Sequence, residues 1–133
     1  MTRREVREQL FKLLFRVEFH ELSEMDGQTD MFFMDDEEEK SDARDEVTDK
    51  LSQIISMLPE LDKMIVDNTV GWTIDRIAKV DLTILRLAVY EMKYDDSVPE
   101  SVAINEAVEL AKKFGQEESG GFVNAVLGKV AKV

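Results

Sequence analysis

The sequence predicts an all-α protein of about seven helices, and three observations predict it. Helix formers dominate, and apolar residues recur at three- and four-residue spacing along most of the chain. Both prolines, Pro59 and Pro99, fall at helix boundaries rather than inside a periodic segment. No long β-branched alternation bounded by Asn-Gly or Asp-Gly occurs. The 133 residues suffice for one domain or two tightly joined halves, burying somewhat over ~60% of the unfolded surface.

Thr2 followed by Glu5 forms a capping box, so the first helix is expected from Arg3 to about Leu22. Val6, Leu10, Leu13, Leu14 and Val17 share one face, and Phe11, Phe15, Phe19 and Leu22 form a second apolar stripe beside it. Residues 24–45 hold Gly27 and a dense run of acids and read as mostly loop. In that loop Met31-Phe32-Phe33-Met34 is an apolar island, expected as one turn pinned to the body. A second helix, about Ala43 to Leu58, presents Val47, Leu51, Ile54, Ile55 and Leu58 and stops at Pro59. A short third helix carries Leu61, Met64 and Ile65, Gly71 breaks it, and Trp72 opens a further turn through Ile77 with its ring as core filler.

The segment from about Leu82 to Tyr94 is apolar nearly all round, which places it in the middle of a bundle. Asp81 precedes it as the expected N-cap, and Arg86 and Glu91 within it read as a satisfied buried charge network. Two amphipathic helices follow, about Ser101–Phe114 and Ser119–Lys132. Gly115 is expected in the left-handed conformation that ends the first, and Ser119 as the cap of the second. Each carries an asparagine, Asn105 and Asn124, among apolar neighbours. Burying a carboxamide without a partner costs roughly 1–3 kcal/mol, so these two are expected to bond backbone or each other.

The net charge of −12 argues at first against nucleic acid, but its distribution does not. Residues 1–16 carry five basic groups against two acids, a local +3. Residues 17–49 carry fourteen acids against two bases, and residues 50–133 thirteen against ten. Arg4 and Arg7 flank the Phe11/Phe15 stripe on one side, Lys12 and Arg16 on the other. Cations beside exposed rings suit single-stranded RNA, since phosphates need positive charge and unpaired bases need a flat surface. A solvated helix with a second core stripe accounts for the same pattern.

Other chemistries fail by absence. There is no cysteine, hence no disulfide and no thiolate catalysis. No phosphate-binding glycine loop and no serine nucleophile with a base is present. His20 stands alone without ligand-type residues at metal spacing, so neither metal nor cofactor is expected. The acidic run Asp35–Glu39 lacks the pattern of a calcium loop and reads as solvated. No apolar run is long enough to span a bilayer, and the N-terminus lacks a secretory apolar region, so a cytoplasmic protein is expected.

The run from Val98 to Val130, V-P-E-S-V-A-I-N-E-A-V-E-L-A-K-K-F-G-Q-E-E-S-G-G-F-V-N-A-V-L-G-K-V, is the most informative part of the chain. Taken with Trp72, with D-R-I-A-K-V-D-L-T-I-L-R-L-A-V-Y-E-M and with the arginine-led first helix, it resembles the NusB family of transcription antitermination factors. The resemblance spans nearly the whole chain and is tightest from Trp72 to Leu127. It implies two joined small helical bundles in one RNA-binding domain over residues 1–133, with halves of about 1–70 and 71–133.

By the same resemblance, Arg3, Arg4, Arg7 and Lys12, with Lys113, Phe114, Ser119 and Phe122, would touch single-stranded boxA-type RNA. Phe15, Asp81 and Glu118 would meet NusE, the small-subunit ribosomal protein that serves as antitermination partner, and the assembly would join elongating RNA polymerase. Three positions depart from the family pattern: Glu5 replaces a small or basic residue, Phe15 a tyrosine, and Gly121 a basic residue. Two other readings remain open. The fold is also similar to the N-terminal domain of certain rRNA cytosine methyltransferases, which would require this sequence to be a fragment. A homodimer could instead bury the Phe11/Phe15/Phe19 stripe.

Overall fold

In the computed structural model the described residues are 2–34 and 41–133. The acidic run Asp35–Glu39 lies outside them. Every regular element among the described residues is helical, with seven α-helices and three short 3-10 turns. The chain divides into two compact units, Met1–Ser56 and Met57–Val133.

The first unit contains α1 (Arg3–Phe15), α2 (Met25–Phe33) and α3 (Ser41–Ser56). The expected capping box starts α1: the Glu5 N–H donates to Thr2 Oγ1 at 3.1 Å and the Thr2 N–H to Glu5 Oε1 at 3.2 Å. The helix ends earlier than its periodicity suggested, tightening into a 3-10 turn over Arg16–Glu18. Val6, Leu10, Leu13 and Leu14 are buried, as are Val47, Leu51 and Ile54 of α3, and α1 packs on α3.

The described residues of the expected loop at 24–45, namely 24–34 and 41–45, are instead largely helical. Met25, Thr29 and Phe33 fall at four-residue spacing and are buried, and the Thr29 hydroxyl donates to the Met25 carbonyl at 2.9 Å. Acidic composition and Gly27 hide this short stripe. Two guanidiniums pin the apolar island: Arg16 lies 5.2 Å from the Phe32 ring centre, and Arg44 5.3 Å from that of Phe33.

The second unit contains α4 (Leu58–Asp67), α5 (Lys79–Tyr94), α6 (Glu100–Phe114) and α7 (Ser119–Val130). Pro59 sits in the first turn of α4 instead of following a helix, where its missing N–H would have had no intrahelical partner. Every residue of α5 from Asp81 to Glu91 is buried, and α4, α6 and α7 all pack against it. Arg86 forks onto Asp62 of α4, Nε to Oδ1 at 2.7 Å and Nη2 to Oδ2 at 2.9 Å, which satisfies the buried cation. No helix among the described residues is long and apolar enough to cross a membrane.

Candidate nucleic-acid interface

In the first unit the basic residues sit where α1 meets solvent. Arg3, Arg4 and Lys12 are exposed and Arg7 is half-buried. Arg3 forks onto Glu46 of α3, Nη1 to Oε1 at 2.9 Å and Nη2 to Oε2 at 2.7 Å, and Lys50 approaches the same carboxylate at 3.2 Å. The Arg3 hydrogen bond, assisted by Lys50, holds the Glu46 carboxyl below its ordinary value of 4.5. Lys12 lies 3.7 Å from Glu8 one turn back, and Arg4 and Arg7 also have partners. The pairings of Arg3 with Glu46 and Lys12 with Glu8 lie at the surface, each worth about 0–1 kcal/mol, so a phosphate can exchange for the carboxylate. Arg16 is committed differently: Nη1 donates to the Gln28 carbonyl at 3.3 Å and to Gln28 Oε1 at 3.1 Å while the guanidinium covers Phe32.

The aromatic stripe is not the open stacking surface expected beside those cations. Phe11 is only 4% exposed and stacks on the half-buried Phe15, ring centres 6.3 Å apart. Phe15 in turn meets Phe19 edge-on at 5.1 Å, and exposure begins only there, with Phe19 and Leu22. The reason is angular: Phe11 falls about 60° from the buried Leu14 on the wheel, at the edge of the face α1 buries, and the chain leaves helical geometry before Phe19.

In the second unit the turn between α6 and α7 gathers the other candidates. Lys113 is exposed with its ammonium 5.5 Å from the Phe114 ring centre. Gly115 is not left-handed. Its backbone is extended, with φ −93° and ψ −165°, and glycine is required by close approach, since a Cβ there would meet Ser119 Oγ at 2.6 Å and the Ala111 carbonyl at 2.8 Å. Ser119 does not cap α7 either. It is the first helical residue, 2% exposed, and its hydroxyl accepts the Gln116 N–H at 2.9 Å, closing the turn. Glu117 and Glu118 are exposed, and Phe122 is half-buried.

Asp81 is likewise inside its helix, at the third position of α5 with Ala78 as cap residue. Its side chain is buried in the first turn, where a negative charge suits the helix dipole, and Oδ1 has no hydrogen-bond partner among the described residues. Asn105 and Asn124 are exposed rather than buried: Asn105 lies two residues, about 200° of turn, from both Ala103 and Ala107, which are buried.

The structure thus brings Arg3, Arg4, Arg7 and Lys12 together on α1 of one unit, and Lys113, Phe114, Ser119 and Phe122 around one turn of the other. Of the partner candidates, Phe15 belongs to the first unit and Asp81 and Glu118 to the second. Trp72, read from the sequence as core filler, is instead 44% exposed and meets the Phe122 ring edge-on at 5.8 Å. The signal available was its place right after Gly71, in a stretch without helical periodicity.

The sequence pattern that defines the NusB family matches residues 4–132. The chain belongs to the NusB family. Among NusB relatives, the transcription antitermination protein NusB of Agathobacter rectalis is 50% identical over 131 residues, spanning 98% of this chain and 100% of that protein. That of Lachnoclostridium phytofermentans is 45% identical, spanning 98% of each. Solved NusB structures superpose over almost the whole chain. NusB of T. maritima is similar with a TM-score of 0.87 at 33% identity, covering 99% of this chain and 92% of that one. A crystal structure of the antitermination factors NusB and NusE in complex with dsRNA gives 0.82 at 25% identity, covering 98% and 96%.

Proposed function

We propose that this protein is a transcription antitermination factor that binds single-stranded boxA-type leader RNA jointly with a NusE-type ribosomal protein. In this reading it joins both to elongating RNA polymerase in the cytoplasm and supports transcription of rRNA operons. It performs no catalysis. The observation that carries the reading is the end-to-end identity of half of all residues with an antitermination protein. The solved complex of NusB and NusE with RNA, at TM-score 0.82, supports both classes of partner.

The physical roles divide by residue. Arg3, Arg4, Arg7 and Lys12 supply exchangeable cations for phosphates, and Lys113, Phe114 and Phe122 supply a cation and rings at the second turn. Ser119 acts through the turn it closes. Phe15 of the first unit and Glu118 of the second are assigned to the protein partner, and Asp81, buried in the first turn of α5, acts through the helix terminus it occupies. A body at −12 with a patch of about +3 binds RNA weakly alone, and a basic partner adds the missing cations.

The test is a titration of labelled single-stranded boxA-type RNA with the full chain, with and without the NusE-type protein, at two salt concentrations. The expected result is tighter binding by the pair than by either protein, weakening steeply with salt, and poor competition by a duplex of the same sequence. RNA that neither protein nor pair retains at low salt contradicts the reading. A homodimer through Phe19 and Leu22, both more than half exposed, would appear in light scattering as a species that RNA cannot dissociate.

A further inference from the structure

The one tryptophan of the chain is held out, not packed in. Trp72 follows Gly71, whose φ of +75° is left-handed and turns the backbone after α4. The Thr69 hydroxyl braces this turn, bonding the Val66 carbonyl at 3.0 Å and the Trp72 carbonyl at 3.5 Å. The indole is nonetheless 44% exposed, and the Phe122 ring supports it edge-on, 62° between planes and 5.8 Å between centres. A large ring presented on a braced backbone against a second ring gives up little conformational freedom when something flat stacks on it.

Its surroundings indicate what that is. Arg76 and Lys79 are exposed four and seven residues further along the same segment. Lys129 is exposed on α7 seven residues from Phe122, within about 20° of the same face. Of the acids nearby in sequence, Asp75 is tied by the Thr73 hydroxyl at 2.5 Å. Rings flanked by flexible cations are the composition that holds unpaired nucleotides, with the base on the ring and the phosphate on the cation.

We infer that Trp72, supported by Phe122, is a stacking platform for one unpaired nucleobase, extending the RNA surface of the α6–α7 turn by a nucleotide. The inference rests on the RNA-binding role proposed above. Stacking on a ring tolerates any base, so this position contributes affinity with little sequence preference.

Because the chain holds a single tryptophan, its emission reports on this residue alone. The experiment titrates the full chain with an unmodified single-stranded boxA-type oligoribonucleotide, following tryptophan emission and, separately, the anisotropy of a labelled copy of the RNA. Trp72→Ala and Trp72→Phe are compared by anisotropy, and thermal melts by circular dichroism confirm that both fold. The expected result is saturable quenching with the midpoint seen by anisotropy, about tenfold weaker binding by Trp72→Ala, and binding by Trp72→Phe within a few-fold of the parent. RNA that binds with unmoved emission and an undiminished Trp72→Ala overturns the inference while leaving the RNA-binding role intact. Emission that responds only to the NusE-type protein assigns this face to that partner and also overturns it. RNA that does not bind at all removes both.

Discussion

Two arginines in this molecule make nearly the same fork and do different work. Arg3 holds Glu46, and Arg86 holds Asp62, each through two contacts of 2.7 and 2.9 Å. The Arg3 side chain is 63% exposed and that of Arg86 9%. Geometry alone therefore does not tell a structural pair from an exchangeable one; water does. Around Arg3, solvent screens the attraction and can resolvate either partner, so the carboxylate can give way to a phosphate. Around Arg86, removal of Asp62 takes the forked carboxylate away from a charge held inside the bundle.

The largest effect is expected in the second unit. Asp62→Ala removes the carboxylate that Arg86 forks onto and is expected to lower stability by about 3 kcal/mol in urea unfolding. A loss below about 1 kcal/mol would mean that Arg86 reaches water. Replacing both partners by apolar residues of similar size, Asp62→Leu with Arg86→Met, is expected to recover most of that loss, because no charge is left to desolvate.

The smallest effects belong to the first unit. Glu46→Gln is expected to lower stability by no more than about 0.5 kcal/mol at low salt, and by nothing measurable near 1 M salt. The sign of its pH dependence follows from the depressed folded-state pKa of Glu46. Its contribution is complete well above 4.5 and disappears as pH falls through the folded value. Wild type and Glu46→Gln should thus differ in urea midpoint at pH 7 and converge as pH falls below the folded-state value. The same substitution is expected to tighten RNA binding by about twofold, since Arg3 no longer exchanges one anion for another.

The helices with strong apolar periodicity were legible in the sequence. The buried α5 could be read because few other arrangements accept a helix apolar on nearly every side, and the Thr2/Glu5 box marked the start of α1. What escaped depended on neighbours that periodicity does not encode. α2 was hidden by acids and Gly27, although Met25, Thr29 and Phe33 bury one narrow stripe. Gly115 and Ser119 were singled out correctly as a pair but given the wrong geometry, because the serine hydroxyl closes the turn on Gln116 instead of capping the helix. Asp81 looked like a cap since it precedes the apolar run, yet α5 begins two residues before it. For the candidate interface, the basic residues of α1 could be read from charge segregation, whereas Phe11 beside them turned inward and Trp72, read as core filler, proved exposed.

The most direct measurement is the salt dependence of boxA-type RNA binding by the wild-type chain and by Arg4→Ala/Arg7→Ala, each with the NusE-type partner. If α1 neutralises phosphates, the double substitution flattens the log–log slope by somewhat over one unit. It then weakens binding roughly 25-fold at 0.1 M salt, with the two proteins converging near about 1 M. Equal affinity and equal slope across that range would contradict the assignment of α1 as the RNA-binding surface.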